Sequence, residues 1–341
     1  MSTSSPLLLV DNLNVEFRTR KGAATVLNGV DFELRAGETL CVVGESGCGK
    51  SMTALALLRL IPTPPGKIVD GRVLFAGEDL MKADEARMRA VRGNQISMIF
   101  QEPMSSLNPV YTVGDQISEA LLLHRNMSRS QAREQSIDLL RSVGIPAPET
   151  RVDNYPHQLS GGMRQRVMIA MALACEPAIL IADEPTTALD VTVQAQIFDL
   201  LRTLQKERGT ALMLITHDMG VVAEMADRVI VMYAGRVIEQ GQVSDVLHDP
   251  KHPYTQGLIA CLPELGASRG EGERRPLAEI PGVVPSIWEL GAGCAFAERC
   301  PSAIAKCRST VPPLVTLSDR HRAACWLIPA ENVASPAPET L

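Results

Sequence analysis

The stretch Gly44-Glu-Ser-Gly-Cys-Gly-Lys-Ser51 decides the fold of this chain. It fits the pattern G-x-x-x-x-G-K-S/T, in which glycines let successive backbone N–H groups converge on the oxygens of a phosphate group. The apolar run Thr39–Val43 before it is typical of a buried strand, and the run Met52–Ile61 after it is typical of a helix that ends at Pro62–Pro65. We therefore predict a phosphate-binding loop between a strand and a helix.

The residues of this loop are expected to bind a nucleotide. Lys50 is expected to reach the β- and γ-phosphates, and the Ser51 hydroxyl is expected to ligate Mg²⁺. The whole nucleotide-binding segment is predicted to comprise Gly44, Glu45, Ser46, Gly47, Cys48, Gly49, Lys50, Ser51 and Met52. A chance match is the alternative, and it is disfavoured because a strand-like run precedes the pattern and a helix-like run follows it.

Strand-like and helix-like runs alternate along the chain, which predicts an α/β fold with a parallel sheet. Strand-like runs cover residues 7–10, 13–17, 30–34, 71–75, 95–100, 178–182 and 211–215. Residues 103–165 are polar and helix-like, with helices predicted near 113–123 and 130–143. We interpret this segment as a helical subdomain inserted into the α/β core.

Length, composition and charge exclude several classes of protein. The chain has 341 residues, of which 45% are apolar and 21% are charged, and its formal net charge is -6. These values are typical of a globular protein, and the acidic balance argues against a nucleic-acid binder. The length suggests about two domains. The longest apolar run, Val167–Ala182, is interrupted by Glu176 and Pro177, so we predict no membrane span and a cytoplasmic location.

Two carboxylates end another apolar strand. Asp183 and Glu184 follow the run Ile179–Ala182, at the edge where open α/β sheets bind ligands. We expect Asp183 to hold Mg²⁺, directly or through water. Glu184 is expected to orient or deprotonate the attacking water. Adjacent acids usually belong to a solvated loop, but the upstream phosphate-binding loop favours the functional interpretation.

A second anion-binding segment is predicted at Leu159-Ser-Gly-Gly-Met-Arg-Gln165. Ser160 can cap the helix-like run that follows, and Gly161 and Gly162 expose backbone N–H groups. One nucleotide does not need two such segments from the same chain. We therefore predict a dimer in which this segment reaches the γ-phosphate held by the partner.

Residues 7–250 resemble an ATP-binding-cassette protein. The motifs that carry the resemblance are GESGCGKS, LSGGM, ILIADEP and LITHD, in this order. The resemblance implies an ATPase with a P-loop NTPase (RecA-like) core, an antiparallel β subdomain and the inserted helical subdomain. Met163 stands where the family pattern has Gln, and this departure is not expected to inactivate the segment.

The resemblance also implies roles for residues in matching local contexts. Phe17 is implied to stack on the adenine, and Gln101 to touch Mg²⁺ and sense the membrane partner. His217 is implied to contact the γ-phosphate, and Asp190 to cross the dimer interface. The implied catalytic residues are Glu184, His217 and Gln101, and the implied Mg²⁺ ligands are Ser51, Gln101 and Asp183.

Further segments resemble the ATPase subunits of dipeptide, oligopeptide and nickel importers, above all the D-type subunit of the peptide importers. These segments are 101–109, 155–159, 185–196 and 252–255. The resemblance implies ATP hydrolysis that powers peptide uptake at the cytoplasmic face of the inner membrane. It implies as partners a paralogous ATPase in a heterodimer, two permeases and a substrate-binding protein, and no nucleic acid.

Other functions use the same ATP site. A nickel or glutathione importer would need the same ATPase, since its cargo is selected by other chains. A soluble cassette ATPase that acts on ribosomes or DNA typically carries two cassettes or long coiled-coil insertions, and this sequence has neither. A metabolic kinase would explain GESGCGKS but not LSGGM.

Four of the eight cysteines, Cys294, Cys300, Cys307 and Cys325, lie in a loop-rich C-terminal segment. Buried free thiols are one interpretation, and disulfides are another that the cytoplasm disfavours. Thiolate ligation suits Zn²⁺ or an iron–sulfur cluster. Importer ATPases with this tail pattern hold a 4Fe-4S cluster, so the resemblance implies that cluster, with Zn²⁺ as the alternative.

The predicted organisation has three parts. Residues 1–250 form the nucleotide-binding domain, and residues 251–330 form a small Cys-rich C-terminal domain of the oligopeptide-transporter type. Within this second part, residues 261–290 are rich in Gly, Pro, Glu and Arg, which predicts a loop or linker. Residues 331–341 are predicted to be a disordered tail.

Overall fold

The computed structural model describes residues 5–101, 106–187, 189–262 and 279–333. Among these residues the strands form two sheets, of four and eight strands. The four-stranded sheet is antiparallel and contains β1 (Leu8–Thr19), β2 (Gly22–Leu34), β4 (Gly66–Phe75) and β5 (Glu78–Asp79). Its strand order is β2-β1-β4-β5.

The eight-stranded sheet has a parallel centre and an antiparallel edge. Its strands are β3 (Thr39–Val43), β6 (Ile96–Ile99), β7 (Ile179–Asp183), β8 (Ala211–Thr216), β9 (Arg228–Tyr233), β10 (Arg236–Gln242), β11 (Val315–Ser318) and β12 (His321–Ala323). The order is β11-β12-β10-β9-β3-β8-β7-β6. Strands β9, β3, β8, β7 and β6 are parallel, whereas β10, β12 and β11 are antiparallel to their neighbours.

Most of the helices begin at a residue whose side chain accepts a hydrogen bond from a backbone N–H group of the first turn. In the described residues they are α1 (Lys50–Leu57), α2 (Glu85–Val91), α3 (Val113–His124), α4 (Arg129–Ser142), α5 (Pro148–Arg151), α6 (Gly161–Leu173), α7 (Val191–Arg208), α8 (Met219–Met225), α9 (Val243–His248), α10 (Pro253–Ala260) and α11 (Ala305–Ser309). Helices α3 and α4 start with reciprocal capping boxes, which explains why the two predicted helices in this segment are confirmed almost to the residue.

The eight-stranded sheet carries a hydrophobic core on each face. On β3, the side chains of Leu40 and Val42 pack with the four-stranded sheet and with α1 and α2. Cys41 and Val43 belong to the opposite core, which contains residues of α3, α4, α6 and α7. A strand buried on both faces is expected to be almost continuously apolar, as β3 is from Leu40 to Val43. The parallel strands are therefore held between two layers.

The C-terminal segment extends the same sheet. Strand β12 pairs with β10 and places His321 beside the buried carboxylate of Glu239, with Nε2 and Oε1 2.7 Å apart. The same carboxylate accepts hydrogen bonds from the backbone N–H groups of Lys251 and His252. Residues 251–252 and 321–323 are therefore fastened to the eight-stranded sheet.

Two local predictions were wrong. Residues 8–10 and 13–17 belong to the single strand β1, because irregular pairing around Asn12, which has a φ of 49°, absorbs the break in the apolar pattern, and residue 7 lies just before the strand. The helix predicted over 52–61 instead starts at Lys50 and ends at Leu57, before the prolines. Its end comes early because Arg59 adopts a left-handed φ of 52° and Leu60 donates back to the Leu55 carbonyl.

Some predicted boundaries fall at or beyond the limits of the described residues. The linker prediction includes residues 263–278, and the tail prediction includes residues 334–341, which both lie outside the described residues. Ala330–Asn332 forms a short 3-10 helix. Helix α6 runs through the predicted subdomain boundary at residue 165 and ends at Leu173. No helix in the described part of the chain is long and apolar enough to cross a membrane.

Candidate nucleotide site and cysteine group

The loops after four parallel strands meet at one edge of the eight-stranded sheet. Strands β3, β6, β7 and β8 are parallel, so their carboxyl ends lie at the same edge. The phosphate-binding loop follows β3, Gln101 follows β6, and His217 follows β8. Asp183 ends β7 and Glu184 comes next. The edge therefore collects the residues that the sequence predicted for phosphate, metal and water.

The backbone of the phosphate-binding loop requires glycine at two positions. Gly44 has a φ of 151°, and a Cβ there would lie 2.3 Å from the Met232 carbonyl oxygen. Gly49 has a φ of 106° and immediately precedes α1. These are backbone conformations that residues with a side chain rarely adopt. The loop consequently turns tightly into the first turn of α1, where unpaired N–H groups favour an anion.

Lys50 is held inside this loop. Its Nζ donates to the carbonyl oxygens of Gly44 at 2.8 Å and of Glu45 at 3.1 Å, and the residue is only 5% exposed. At the tip, Ser46 and Gly47 are exposed. Cys48 points into the core, where burial raises the pKa of its thiol. The ammonium group therefore lies where the oxygens of a phosphate could replace the two loop carbonyl oxygens as its hydrogen-bond acceptors.

Asp183 is a buried carboxylate that lacks a full set of partners. It is 3% exposed, and its Oδ1 has no hydrogen-bond partner among the described residues. Burial raises its pKa, and a hydrogen bond from the Ser51 hydroxyl opposes the rise. Burying such a group is costly unless a cation or donor joins it. Asp183 and Ser51 thus offer oxygen ligands of the kind that Mg²⁺ prefers.

Glu184 is surrounded by three polar side chains. Its Oε2 accepts hydrogen bonds from Gln101 Nε2 at 3.1 Å and from the Thr187 hydroxyl at 3.2 Å. Its Oε1 lies 3.4 Å from Nδ1 of His217, whose side chain is 68% exposed. The structure therefore brings the three predicted catalytic residues together. Thr187 was missed, although it lies in the segment 185–196 that carries the resemblance.

The backbone at Glu184 is unusual. Its φ of 44° is left-handed, and its N–H donates to the Ile215 carbonyl at 3.0 Å. Such a conformation is strained for a residue with a Cβ and is typical of functional sites. The hydrogen bond to β8 fixes the backbone of Glu184, which directly follows Asp183 in the sequence.

The second predicted anion-binding segment lies against the start of α7. Ser160 caps α6 by accepting from the Met163 N–H, and Asp190 caps α7 by accepting from the Val193 N–H. A Cβ on Gly162 would lie 3.0 Å from Cγ1 of Val193, so the two helix starts are packed together. Ser160 and Asp190 are exposed, and none of their described contacts reaches the phosphate-binding loop of the same chain.

Two further predicted residues have other surroundings. Phe17 lies half-buried on β1, with its ring 3.0 Å from where a Cβ on Gly66 would be. Met52 packs against the core between the two sheets. None of the described contacts of Phe17 reaches the phosphate-binding loop, so the structure does not bring it into the cluster around Glu184.

The four C-terminal cysteines line one cavity together with Phe296 and Trp326. All four are free thiols. Burial raises the pKa of Cys294, Cys300 and Cys325, and backbone N–H groups directed at these sulfurs oppose the rise. No three His, Cys, Asp or Glu side chains in the described residues form a group that could hold a metal ion.

Comparisons with known proteins agree with this geometry. The family model described as "ABC transporter" matches residues 27–187, and the one described as "Oligopeptide/dipeptide transporter, C-terminal region" matches residues 238–307. A probable peptide ABC transporter ATP-binding protein of Sinorhizobium fredii is 55% identical over 94% of both chains. The dipeptide transport ATP-binding protein DppD of Bacillus subtilis is 50% identical over 94% of both chains.

A solved structure is also similar. The dimeric ATP-binding cassette MJ0796, bound to ADP and Pi in a post-hydrolysis state, has a TM-score of 0.62 and 28% sequence identity. The similarity covers 69% of this chain and 98% of that one.

Proposed function

Because the chain belongs to the family of ABC transporter ATP-binding proteins, whose members hydrolyse ATP to power transport, we propose that it is the ATPase subunit of a peptide importer. The observation that carries the proposal is the convergence of Lys50, Asp183 and Glu184 at the carboxyl edge of the parallel strands. The peptide assignment is supported by the relatives and by the C-terminal family model.

The proposed chemistry gives each predicted site residue one role. The loop N–H groups and Lys50 bind the β- and γ-phosphates of ATP. The stacking of Phe17 on the adenine rests on the resemblance alone. Ser51, Asp183 and Gln101 would hold Mg²⁺, which would neutralise charge on the phosphates. Glu184 accepts a proton from the attacking water, which it orients together with Gln101.

His217 completes the chain's own half of the site. Its ring lies beside Glu184 and is exposed, which leaves it free to contact the γ-phosphate as the resemblance implies. Catalysis here is mainly positioning and charge stabilisation, since phosphoryl transfer leaves little covalent chemistry to the protein.

The other half of the site comes from a second cassette chain. Ser160, Gly161, Gly162 and Asp190 form an exposed pair of helix starts with no described contact to their own phosphate-binding loop. Two chains facing each other supply this surface to the partner's γ-phosphate. The dimeric state of the similar cassette MJ0796 supports the arrangement. The second chain is a paralogous ATPase, which makes the pair a heterodimer.

The wider assembly follows from this ATPase role. We place the chain at the cytoplasmic face of the inner membrane, attached to two permeases that receive cargo from a substrate-binding protein. The helical subdomain at about 103–165 and the Gln101 loop transmit closure of the pair to the permeases. Residues 1–250 form the cassette, and residues 251–330 form the C-terminal domain whose strand β12 extends the cassette sheet.

Purification of the assembly through a tag on this chain tests the proposal. We expect membrane fractions to yield a second cassette chain and two membrane-spanning proteins, with ATP hydrolysis that rises when peptide and binding protein are added. Stimulation by nickel or glutathione with no response to peptides would contradict the peptide assignment. Recovery with ribosomes or DNA instead of permeases would contradict the transport role.

We propose from the resemblance that the cysteine group binds an iron–sulfur centre, although the described side chains, as they stand, form no group that could hold a metal ion. Cys294, Cys300, Cys307 and Cys325 surround one cavity, and backbone N–H groups point at the sulfurs, as is favourable for thiolates that ligate metal. These four residues would hold a 4Fe-4S cluster, whose simplest role is to fasten a loop-rich segment that buries few apolar residues.

Iron and sulfide analysis of anaerobically purified protein decides this point. We expect about four iron atoms and about four sulfide ions per chain, as four thiolates require for this cluster type. Replacing Cys307 by Ser should lower the iron content sharply. The matched control is Cys261→Ser, which lies outside the group and should keep the iron. Zinc at about one atom per chain, with no sulfide, would refute the cluster.

A further inference from the structure

Arg299 connects the cysteine segment to the phosphate-binding loop. Its guanidinium donates from Nη1 to Glu45 Oε2 at 2.6 Å and from Nη2 to Glu45 Oε1 at 2.9 Å. The side chain of Arg299 is 6% exposed. Residues 45 and 299 are far apart in sequence, and Arg299 directly precedes Cys300. A bidentate arginine–carboxylate pair fixes orientation as well as distance.

The remaining contacts of Arg299 leave it little freedom. Its donors also reach the carbonyl oxygens of Ile280, Pro281 and Gly282 at 3.3, 2.8 and 3.3 Å. The guanidinium carbon lies 5.9 Å from the ring centre of Tyr233. A guanidinium held by so many acceptors is a rigid support for its partner.

Glu45 is the second residue of the phosphate-binding loop, and its backbone is fixed as well. Its N–H donates to the hydroxyl of the fully buried Tyr254 on α10, at 2.8 Å. Its carbonyl accepts from Lys50 Nζ at 3.1 Å and from the Cys48 N–H at 3.3 Å. A displacement of Glu45 therefore moves an acceptor of the lysine that the proposed mechanism assigns to the phosphates.

We propose that Arg299, acting through Glu45, is a positioning residue that sets the ATP affinity of the phosphate-binding loop. The inference rests on the proposed ATPase function and deepens it, since it gives the C-terminal segment a role at the nucleotide. Arg299 touches neither Asp183 nor Glu184 in its described contacts. Its loss is therefore expected to affect nucleotide binding more than the chemical step.

Replacing Arg299 by Gln tests this in the full chain within its purified complex. We expect the KM for ATP to rise about 10-fold while kcat changes by less than about 2-fold. This pattern is expected when a lost interaction had stabilised the bound substrate and the transition state equally. Equilibrium binding of Mg·ATP, measured in chains that also carry Glu184→Gln, should weaken by a similar factor. Arg308→Gln is the matched control, because it breaks an exposed ion pair with Glu298 in the same segment and should leave ATP affinity unchanged.

A double-mutant cycle separates positioning from general destabilisation. Glu45→Gln alone should raise the KM for ATP as Arg299→Gln does, and the double variant should be no worse than either single one. Unchanged ATP affinity in Glu45→Gln, or additive effects in the cycle, would overturn the inference, and Glu45→Gln remains informative if Arg299→Gln does not fold. Failure of the wild-type chain to bind ATP would instead overturn the proposed function.

Discussion

Replacing Glu184 by Gln is expected to lower ATP turnover by about 100-fold or more while ATP binding stays intact, since a positioned general base contributes about that much. The amide keeps the size of the side chain, and its oxygen still accepts from Gln101 and Thr187. It cannot accept a proton from water. Phosphate release and equilibrium binding of Mg·ATP, measured on the purified complex, check both parts of the expectation.

The control for this substitution is Glu176→Gln. Glu176 also has a left-handed φ, of 46°, but its side chain is exposed and pairs with Arg208 on the surface. Its replacement repeats the chemical change at a comparable backbone conformation, away from the site. ATP turnover should be unaffected. Undiminished turnover in Glu184→Gln would remove the assignment of this residue as the base.

Replacing Ser160 by Asp is expected to lower ATP turnover of the paired cassettes by about 100-fold. An effect of this size is typical when an active site loses one hydrogen-bond donor to the charge that develops in the transition state. An aspartate still caps α6, so the helix start should remain folded. Its negative charge would face the γ-phosphate of the partner's ATP and repel it. Steady-state phosphate release from the purified complex is the measurement.

Ser128→Asp provides the matched control for Ser160→Asp. Ser128 is likewise an exposed serine at the N-cap of a helix, α4, and its side chain accepts from the Gln131 N–H. The same charge introduced there should leave ATP turnover within about 2-fold, because exposed charges far from the site are screened. Equal losses in the two variants would show that the effect of Ser160→Asp is not specific to the second anion-binding segment.

The sequence predicts the parts of the site that depend on short local patterns. The phosphate-binding loop is recognisable because its glycines and Lys50 must follow one another at fixed spacing. Asp183 and Glu184 are recognisable because two acids end an apolar strand. Gln101 and His217 carry no such signal alone, and only the resemblance in their local contexts assigned them. All of these residues lie at the same edge because their strands are parallel.

Contacts between distant segments could not be read from the sequence. Arg299 is an isolated arginine in a loop, and nothing near it indicates a bond to a residue 254 positions away. The pairing of β12 with β10 depends on only three residues, His321–Ala323, which have no distinctive strand pattern. The early end of α1 follows from the left-handed conformation of Arg59, which is not a residue type that usually ends helices.

The central claim is that each ATP is bound by the phosphate-binding loop of one chain and completed by the Ser160 segment of the other. It is tested most directly with a tagged chain that carries Lys50→Met, paired with an unaltered cassette partner. An ATP analogue with a photoreactive azido group on its γ-phosphate then binds only at the partner's loop. We predict that light attaches the label to residues 159–165 of the tagged chain. Labelling confined to the partner's own chain would contradict the account.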